Sequence, residues 1–265
     1  LRQFLKRILL LTVGHWFKIR GARIIYFHSV DSRHPYGTRP EVFRSMMKLI
    51  ADGTKDVVTI GELGTRLYNK EVIDNCLVIT FDDGYADNAE IALPILKEYG
   101  LRATFFVVAG LIKDTSYVPD DPQRRHRLYP ALKIMSKSQI RALADSGMEI
   151  GSHSFSHRYM KRDGRKKVRQ ELRDSKKLLE DLIGKPVVSF AFPNGEVPLN
   201  AREILQEEGY RQAVTTQWDC VTPNSDPYLL PRQVIYHYDS LTDLKKKLMG
   251  QYDYLRLIHR LKVNT

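Results

Sequence analysis

The sequence predicts a single α/β domain built as a barrel, with its chemistry in the loops that follow the strands. Two observations carry this. Short apolar runs bounded by turn residues alternate with segments of helical period, the pattern of repeated β-α units rather than of a bundle or a sandwich. The chain has 265 residues, 43% of them hydrophobic, enough for one core and close to the size an α/β barrel reaches without a second domain.

Residues 23–27 read as the first strand and 41–52 as a helix whose apolar positions, Val42, Phe43, Met46, Met47, Leu49 and Ile50, share a face. Residues 57–60 and 76–81 read as further strands. A helix over 87–99 is ended by Gly100 in the left-handed conformation and kinked at Pro94. Residues 103–108 (ATFFVV) form a buried strand by their β-branched and aromatic content. The polar, proline-containing stretch 110–130 is a long loop. A helix over 136–146 opens on a Ser136/Gln139 capping box, and 148–150 is a short strand. An amphipathic helix over 165–183 is closed by Gly184 and Pro186. Residues 187–192, 212–215 and 233–236 are strands, and 200–208 is a helix capped by Gly209. This divides the chain into a basic amphipathic segment (1–22), the barrel (23–240) and a basic C-terminal helix or tail (241–265).

A formal net charge of +11 makes the surface attractive to anions, which is a partner class and not a function. No nucleic-acid-binding motif accompanies it, and no nucleic acid is expected as partner. Residues 1–20 set cations on both sides of a short apolar run. They suit either a helix lying on an anionic membrane surface or a first helix docked on the domain. No clear signal peptide is present, so a cytoplasmic location, peripheral to the inner membrane, is expected. The chain starts without methionine and is expected to be a processed or truncated form. Two cysteines, Cys76 and Cys220, exclude a disulfide framework, and Cys76 reads as a core thiol.

Chemistry concentrates at two places. The segment 77–87 (LVITFDDGYAD) puts Asp82 and Asp83 directly after an apolar strand, where adjacent carboxylates repel unless a cation neutralises them. A plain solvated turn is the alternative. The segment 151–157 (GSHSFSH) spaces His153 and His157 four apart, again after a strand, which lets two imidazoles share a metal. With Asp83 they supply two nitrogen donors and one oxygen, the ligand mix of an open hydrolytic site.

With FAFPNG at residues 190–195 as a third motif, TFDDGY at 80–85 and the HSxxH pattern at 153–157, the chain resembles the polysaccharide deacetylases of carbohydrate esterase family four, which share the NodB homology domain. The resemblance spans residues 24–234. It implies a distorted (β/α) barrel of about seven or eight units and a bacterial, metal-dependent hydrolase that removes N-acetyl groups from an amino-sugar glycan, a lipid-linked sugar or a glycolipid. It makes Asp83, His153 and His157 the ligands of one divalent metal, Asp82 the general base, and the main-chain N–H of Asn194, after Pro193, an oxyanion donor. Zinc suits the donor set best, while nickel, cobalt and manganese also fit.

The chain departs from the family twice. Phe190 and Asn194 stand where related branches carry an arginine and a tyrosine, and Arg232 is the candidate to orient the base in the arginine's place. The family's late histidine motif is also missing. His28, in YFHSV, resembles a position in the poly-N-acetylglucosamine deacetylase branch and is the first candidate for an additional active-site histidine; His237 is the second, as acid. Trp218 and Asp219, with Tyr85, Tyr159 and Tyr236, are candidates for sugar contacts, with core packing as the alternative for at least half of them. Two rivals remain open: a non-haem iron oxygenase, and a deacetylase-like barrel that binds a glycan without turning it over.

Overall fold

The structure is a computed structural model that describes residues 20–34, 37–112 and 133–255. The amphipathic segment 1–19, most of the expected 110–130 loop and the end of the basic tail lie outside the described residues. Among the described residues there are eight strands: β1 (Arg23–Phe27), β2 (Asp56–Val58), β3 (Cys76–Phe81), β4 (Thr104–Val107), β5 (Glu149–Ser152), β6 (Ser189–Ala191), β7 (Gln212–Val214) and β8 (Gln233–Val234). The described helices are α1 (Pro40–Ala51), α2 (Ile60–Tyr68), α3 (Leu93–Glu98), α4 (Lys137–Asp145), α5 (Arg165–Ile183), α6 (Ala201–Glu207) and α7 (Leu241–Leu248).

All strands pair in parallel, in the order β7-β6-β5-β4-β3-β1-β8. Just ahead of β8, Leu230 forms a parallel bridge to Val214 of β7, so the segment from Leu230 to Val234 touches both ends of the sheet and curls it into a barrel. The distortion sits at β3. Its Cys76–Val78 half pairs with β2 and its Thr80–Phe81 end pairs with β4, two partners sharing one edge.

Side chains alternate along each strand as a pleat requires. Ile25, Phe27, Leu77, Ile79, Phe81 and Phe105 face the helices and pack with Phe43, Met46 and Met47 of α1. Each such buried side chain contributes about 1.5–3 kcal/mol. Ile24, Val78, Phe106, Ala191 and Val214 fill the interior. At the N-terminal mouth, Glu149 accepts hydrogen bonds from Gly61 N (2.9 Å), Thr104 Oγ1 (2.8 Å) and Ser189 Oγ. The start of α2 therefore plugs that end, and the open face is the one at the strands' C-terminal ends.

Two expectations are corrected. Residue 60 does not end a strand. Thr59 accepts from Glu62 N, and the Glu62 carboxylate accepts from Thr59 N, a capping box that starts α2 at Ile60. Nor is residues 87–99 one kinked α-helix: a π-helical stretch, Asn88–Ala92, closed by Leu93 N donating to Asn88 O, precedes α3, and Pro94 falls in the first turn of α3, where its missing N–H costs no helix bond. Residues 241–255 are tied to the barrel. Asp253 and Arg23 form a buried two-pronged ion pair (2.5 and 2.8 Å), and Lys247 donates to Val234 O (2.8 Å) and to Asp239. Among the described residues no helix is long and apolar enough to cross a membrane.

Candidate active site

β3 delivers both aspartates. Asp82 N donates to Phe27 O (3.0 Å) and prolongs the β1–β3 ladder, so its side chain follows Val78 and Thr80 into the barrel. A regular strand would turn the next residue to the other face. Asp83 instead adopts φ 71°, followed by Gly84 at φ 79°. Asp tolerates this region better than most residues, and the bend returns its carboxylate to the side of Asp82.

β5 delivers the first histidine in the same way. His153 N donates to Val107 O (2.9 Å), continuing the β4–β5 ladder, and its Nδ1 donates to Ala191 O (2.8 Å). That bond fixes the tautomer and leaves the Nε2 lone pair facing inward. His157 reaches the same place through a compact loop and not a helix. Ser154 (φ 66°) and His157 (φ 57°) are left-handed, and Ser154 Oγ accepts from His157 N at 2.8 Å. Buried Glu171 of α5 holds the loop from behind, accepting from Ser156 N (2.8 Å) and Oγ (2.7 Å).

His153 Nε2 and His157 Nε2 lie 3.5 and 3.4 Å from Asp83 Oδ1, and one ligand atom from each residue falls within 4.8 Å of the others. The donor set fits a divalent cation: one anionic oxygen and two imidazole nitrogens, with the outer nitrogen of His153 already used as a donor. Burial works to raise the Asp83 carboxyl, but the His153 and His157 imidazoles beside it, with the nearby His28, hold it well below the usual carboxylate range. Burial likewise works to lower His153, but the Asp83 and Asp82 carboxylates outweigh it and raise the imidazole overall.

Asp82 is held by Arg232, two buried side chains meeting in a fork. Arg232 Nη1 and Nη2 donate to Asp82 Oδ1 (2.7 Å) and Oδ2 (2.8 Å). The guanidinium also donates to Thr215 O (2.9 Å) and Thr80 Oγ1 (3.2 Å), and lies over the Tyr26 ring at 4.5 Å. Burial disfavours the Asp82 carboxylate, yet the guanidinium more than offsets it and lowers the carboxyl below its ordinary range. Phe190 is buried on the helix-facing side against Phe192 and Tyr210 (5.2 and 5.5 Å between rings), and its β6 neighbour Ala191 faces the interior with no polar side chain to offer Asp82. The guanidinium on Asp82 comes from Arg232, the residue just ahead of β8.

At the end of β6, a turn closed by Gly195 N donating to Phe192 O (2.8 Å) carries buried Pro193 and exposed Asn194. Asn194 is left-handed (φ 56°), and a Cβ on Gly195 would meet Thr216 Oγ1 at 1.9 Å. The N–H of the third residue in such a turn lies outside the turn's own hydrogen bond.

His28 is half-buried just past β1, its carbonyl accepting from Asn88 Nδ2 (3.0 Å), and its side chain is a near neighbour of the Asp82 and Asp83 carboxyls. His237 stands exposed on the same rim, edge-on to Tyr238 at 5.0 Å. Two sugar-contact candidates are corrected. Tyr85 is 1% exposed and packs against His34 (5.1 Å), and Trp218 is 5% exposed beneath Lys247 (5.4 Å). Both belong to the packing. His34, which sequence reasoning passed over, is buried beside the site; burial and the neighbouring His28 push its imidazole down to about 4. A second histidine in the loop after β1 was the sole signal for it.

A family model described as polysaccharide deacetylase matches residues 69–213, more than half of the chain. YxkH of Bacillus subtilis, named as a polysaccharide deacetylase, is 27% identical over 79% of this chain and 69% of its own length. The poly-beta-1,6-N-acetyl-D-glucosamine N-deacetylase of Staphylococcus aureus is 23% identical over 86% of this chain and 77% of its own. Among solved structures, the Streptococcus pyogenes deacetylase PplD superposes with a TM-score of 0.75 at 21% identity, covering 87% of this chain and 99% of that one. IcaB from Ammonifex degensii gives 0.75 at 20% identity, covering 88% and 98%. These two likenesses establish the fold.

Proposed function

Because the chain belongs to the polysaccharide deacetylase family, we propose that it hydrolyses the N-acetyl group of an amino sugar in a glycan, releasing acetate, with its chemistry at Asp82 and Asp83. The observation that carries this reading is a buried, Arg232-clamped carboxylate directly beside a three-ligand pocket. The Staphylococcus aureus relative, named for poly-beta-1,6-N-acetyl-D-glucosamine, supports a polymer of N-acetylglucosamine as substrate. A lipid-linked amino sugar or glycolipid is the alternative form.

Asp83, His153 and His157 would hold one divalent cation, zinc by preference of the donor set, which would supply Lewis acidity to polarise the amide carbonyl. Asp82 accepts the proton of the water that attacks the acetyl carbon. Arg232 keeps that carboxylate ionised and orients it by gripping both oxygens. The Asn194 N–H donates to the oxygen that becomes negative at the tetrahedral stage, a contribution of about 3 kcal/mol. The carbon–nitrogen bond then breaks, and the leaving amine takes a proton, for which His28 is the first candidate and His237 the second.

Acetate release from N-acetylglucosamine oligomers tests this reading, with chelated protein and Asp82→Asn as controls. Release by the parent alone is expected. Binding of the oligomers without release would support the non-catalytic barrel instead, and oxygen consumption with added iron and an oxoacid would support the oxygenase.

A further inference from the structure

A pair of tyrosines on the rim is left over by the chemistry above. β8 ends beside β1, and the chain then runs through Tyr236, His237 and Tyr238 on the open face of the barrel. The Tyr236 and Tyr238 rings stack in parallel, 5.1 Å apart at 6°. They are 40% and 68% exposed, whereas most large aromatic side chains of the described residues are buried.

The pair is built rigidly. Asp239 accepts from Tyr236 N (2.8 Å), and Asp239 N donates back to Tyr236 O (2.9 Å). Lys247 of α7 donates to the same Asp239 carboxylate and to Val234 O, and its Nζ lies 5.2 Å from the centre of the Tyr236 ring. Tyr236 thus has Lys247 and Tyr238 as neighbours, and Tyr238, with His237 edge-on to it at 5.0 Å, keeps most of its surface open to solvent. A fixed, exposed aromatic face costs little entropy to occupy and matches the C–H face of a pyranose ring.

Its place on the sheet sets what it would hold. β1 separates β8 from β3, so the platform stands two strand spacings, about 10 Å, from the strand that carries Asp82 and Asp83. That distance suits a sugar further along the chain and not the sugar being deacetylated. We infer that Tyr236 and Tyr238 form a stacking subsite for a neighbouring residue of a polymeric amino sugar. The subsite makes the enzyme select oligomers over single sugars, and this inference rests on the deacetylase reading above.

The test compares the parent, Tyr238→Ala and Tyr238→Phe on N-acetylglucosamine and on its β-1,6-linked hexamer. Tyr238→Ala should raise KM for the hexamer about two- to tenfold, the weight of one aromatic contact, with kcat held. KM for the single sugar should stay unchanged, and Tyr238→Phe should behave as the parent. An unaltered hexamer KM in Tyr238→Ala overturns the subsite, as does a parent that shows no preference for the hexamer. If the parent releases no acetate from either, the functional reading has failed. Calorimetric titration of the hexamer then decides the platform alone: weaker binding by Tyr238→Ala supports it, and equal or absent binding refutes it.

Discussion

Replacing Arg232 by methionine removes a buried guanidinium and leaves its carboxylate partner in place. The side chain makes two short bonds to Asp82, at 2.7 and 2.8 Å, and two more to Thr215 O and Thr80 Oγ1. Taking one partner from such a buried pair costs about 3–5 kcal/mol, because the remaining charge is stranded. The sign with pH follows from Asp82. In the parent its folded pKa is depressed, so its contribution to stability is present above the unfolded value and is lost as pH falls through the folded one. Without Arg232 burial dominates and the folded pKa rises above the unfolded one. The penalty is then felt at neutral and alkaline pH and eases on acidification. Denaturant melts across the pH range read this directly, and the acid limb of kcat/KM should move to higher pH. Adding Asp82→Asn to Arg232→Met removes the stranded charge and should recover stability without activity. An Arg232→Met protein that melts within about 1 kcal/mol of the parent, with its acid limb unmoved, would refute the clamp.

Asp82→Asn should lower kcat about 10²- to 10⁴-fold while cation binding, measured by calorimetry, survives. Because His153 is raised by its carboxylate neighbours, protons compete with the cation, so affinity should be weaker near pH 6 than near pH 8. Gly195→Ala puts a Cβ at 1.9 Å from Thr216 Oγ1 in a left-handed turn; melting should show a loss of about 1–3 kcal/mol, and kcat should fall as Asn194 shifts. Asp253→Ala strands buried Arg23 and should cost about 3–5 kcal/mol in a denaturant melt, loosening the segment after α7 from the start of β1.

The parts of the site that lie next to an apolar strand were legible in the sequence. Each strand end fixes which residue leaves the pleat first, and the turn residues that follow are few, so Asp82–Asp83 and His153 could be placed by counting. Arg232 was legible as a candidate because a fork-shaped cation is the natural partner of an isolated carboxylate, but its partner lies 150 residues away, beyond any local pattern. Tyr85 and Trp218 were misread because aromatic content does not say which side of an element a ring occupies. The capping box at Thr59 and Glu62 was in plain view, and a short apolar run masked it. Half-buried Glu149 and buried Glu171 and His34 escaped because such polar side chains are defined by partners from other parts of the chain, here Ser189, Ser156 and Tyr85.

The most direct measurement is the zinc content and zinc affinity of the purified protein, taken together with those of Asp83→Ala and Asp82→Asn. One zinc per chain is predicted for the parent and for Asp82→Asn, and none for Asp83→Ala. Equal zinc binding by Asp83→Ala, or acetate release by a parent stripped of every divalent ion, would contradict a shared cation at Asp83, His153 and His157.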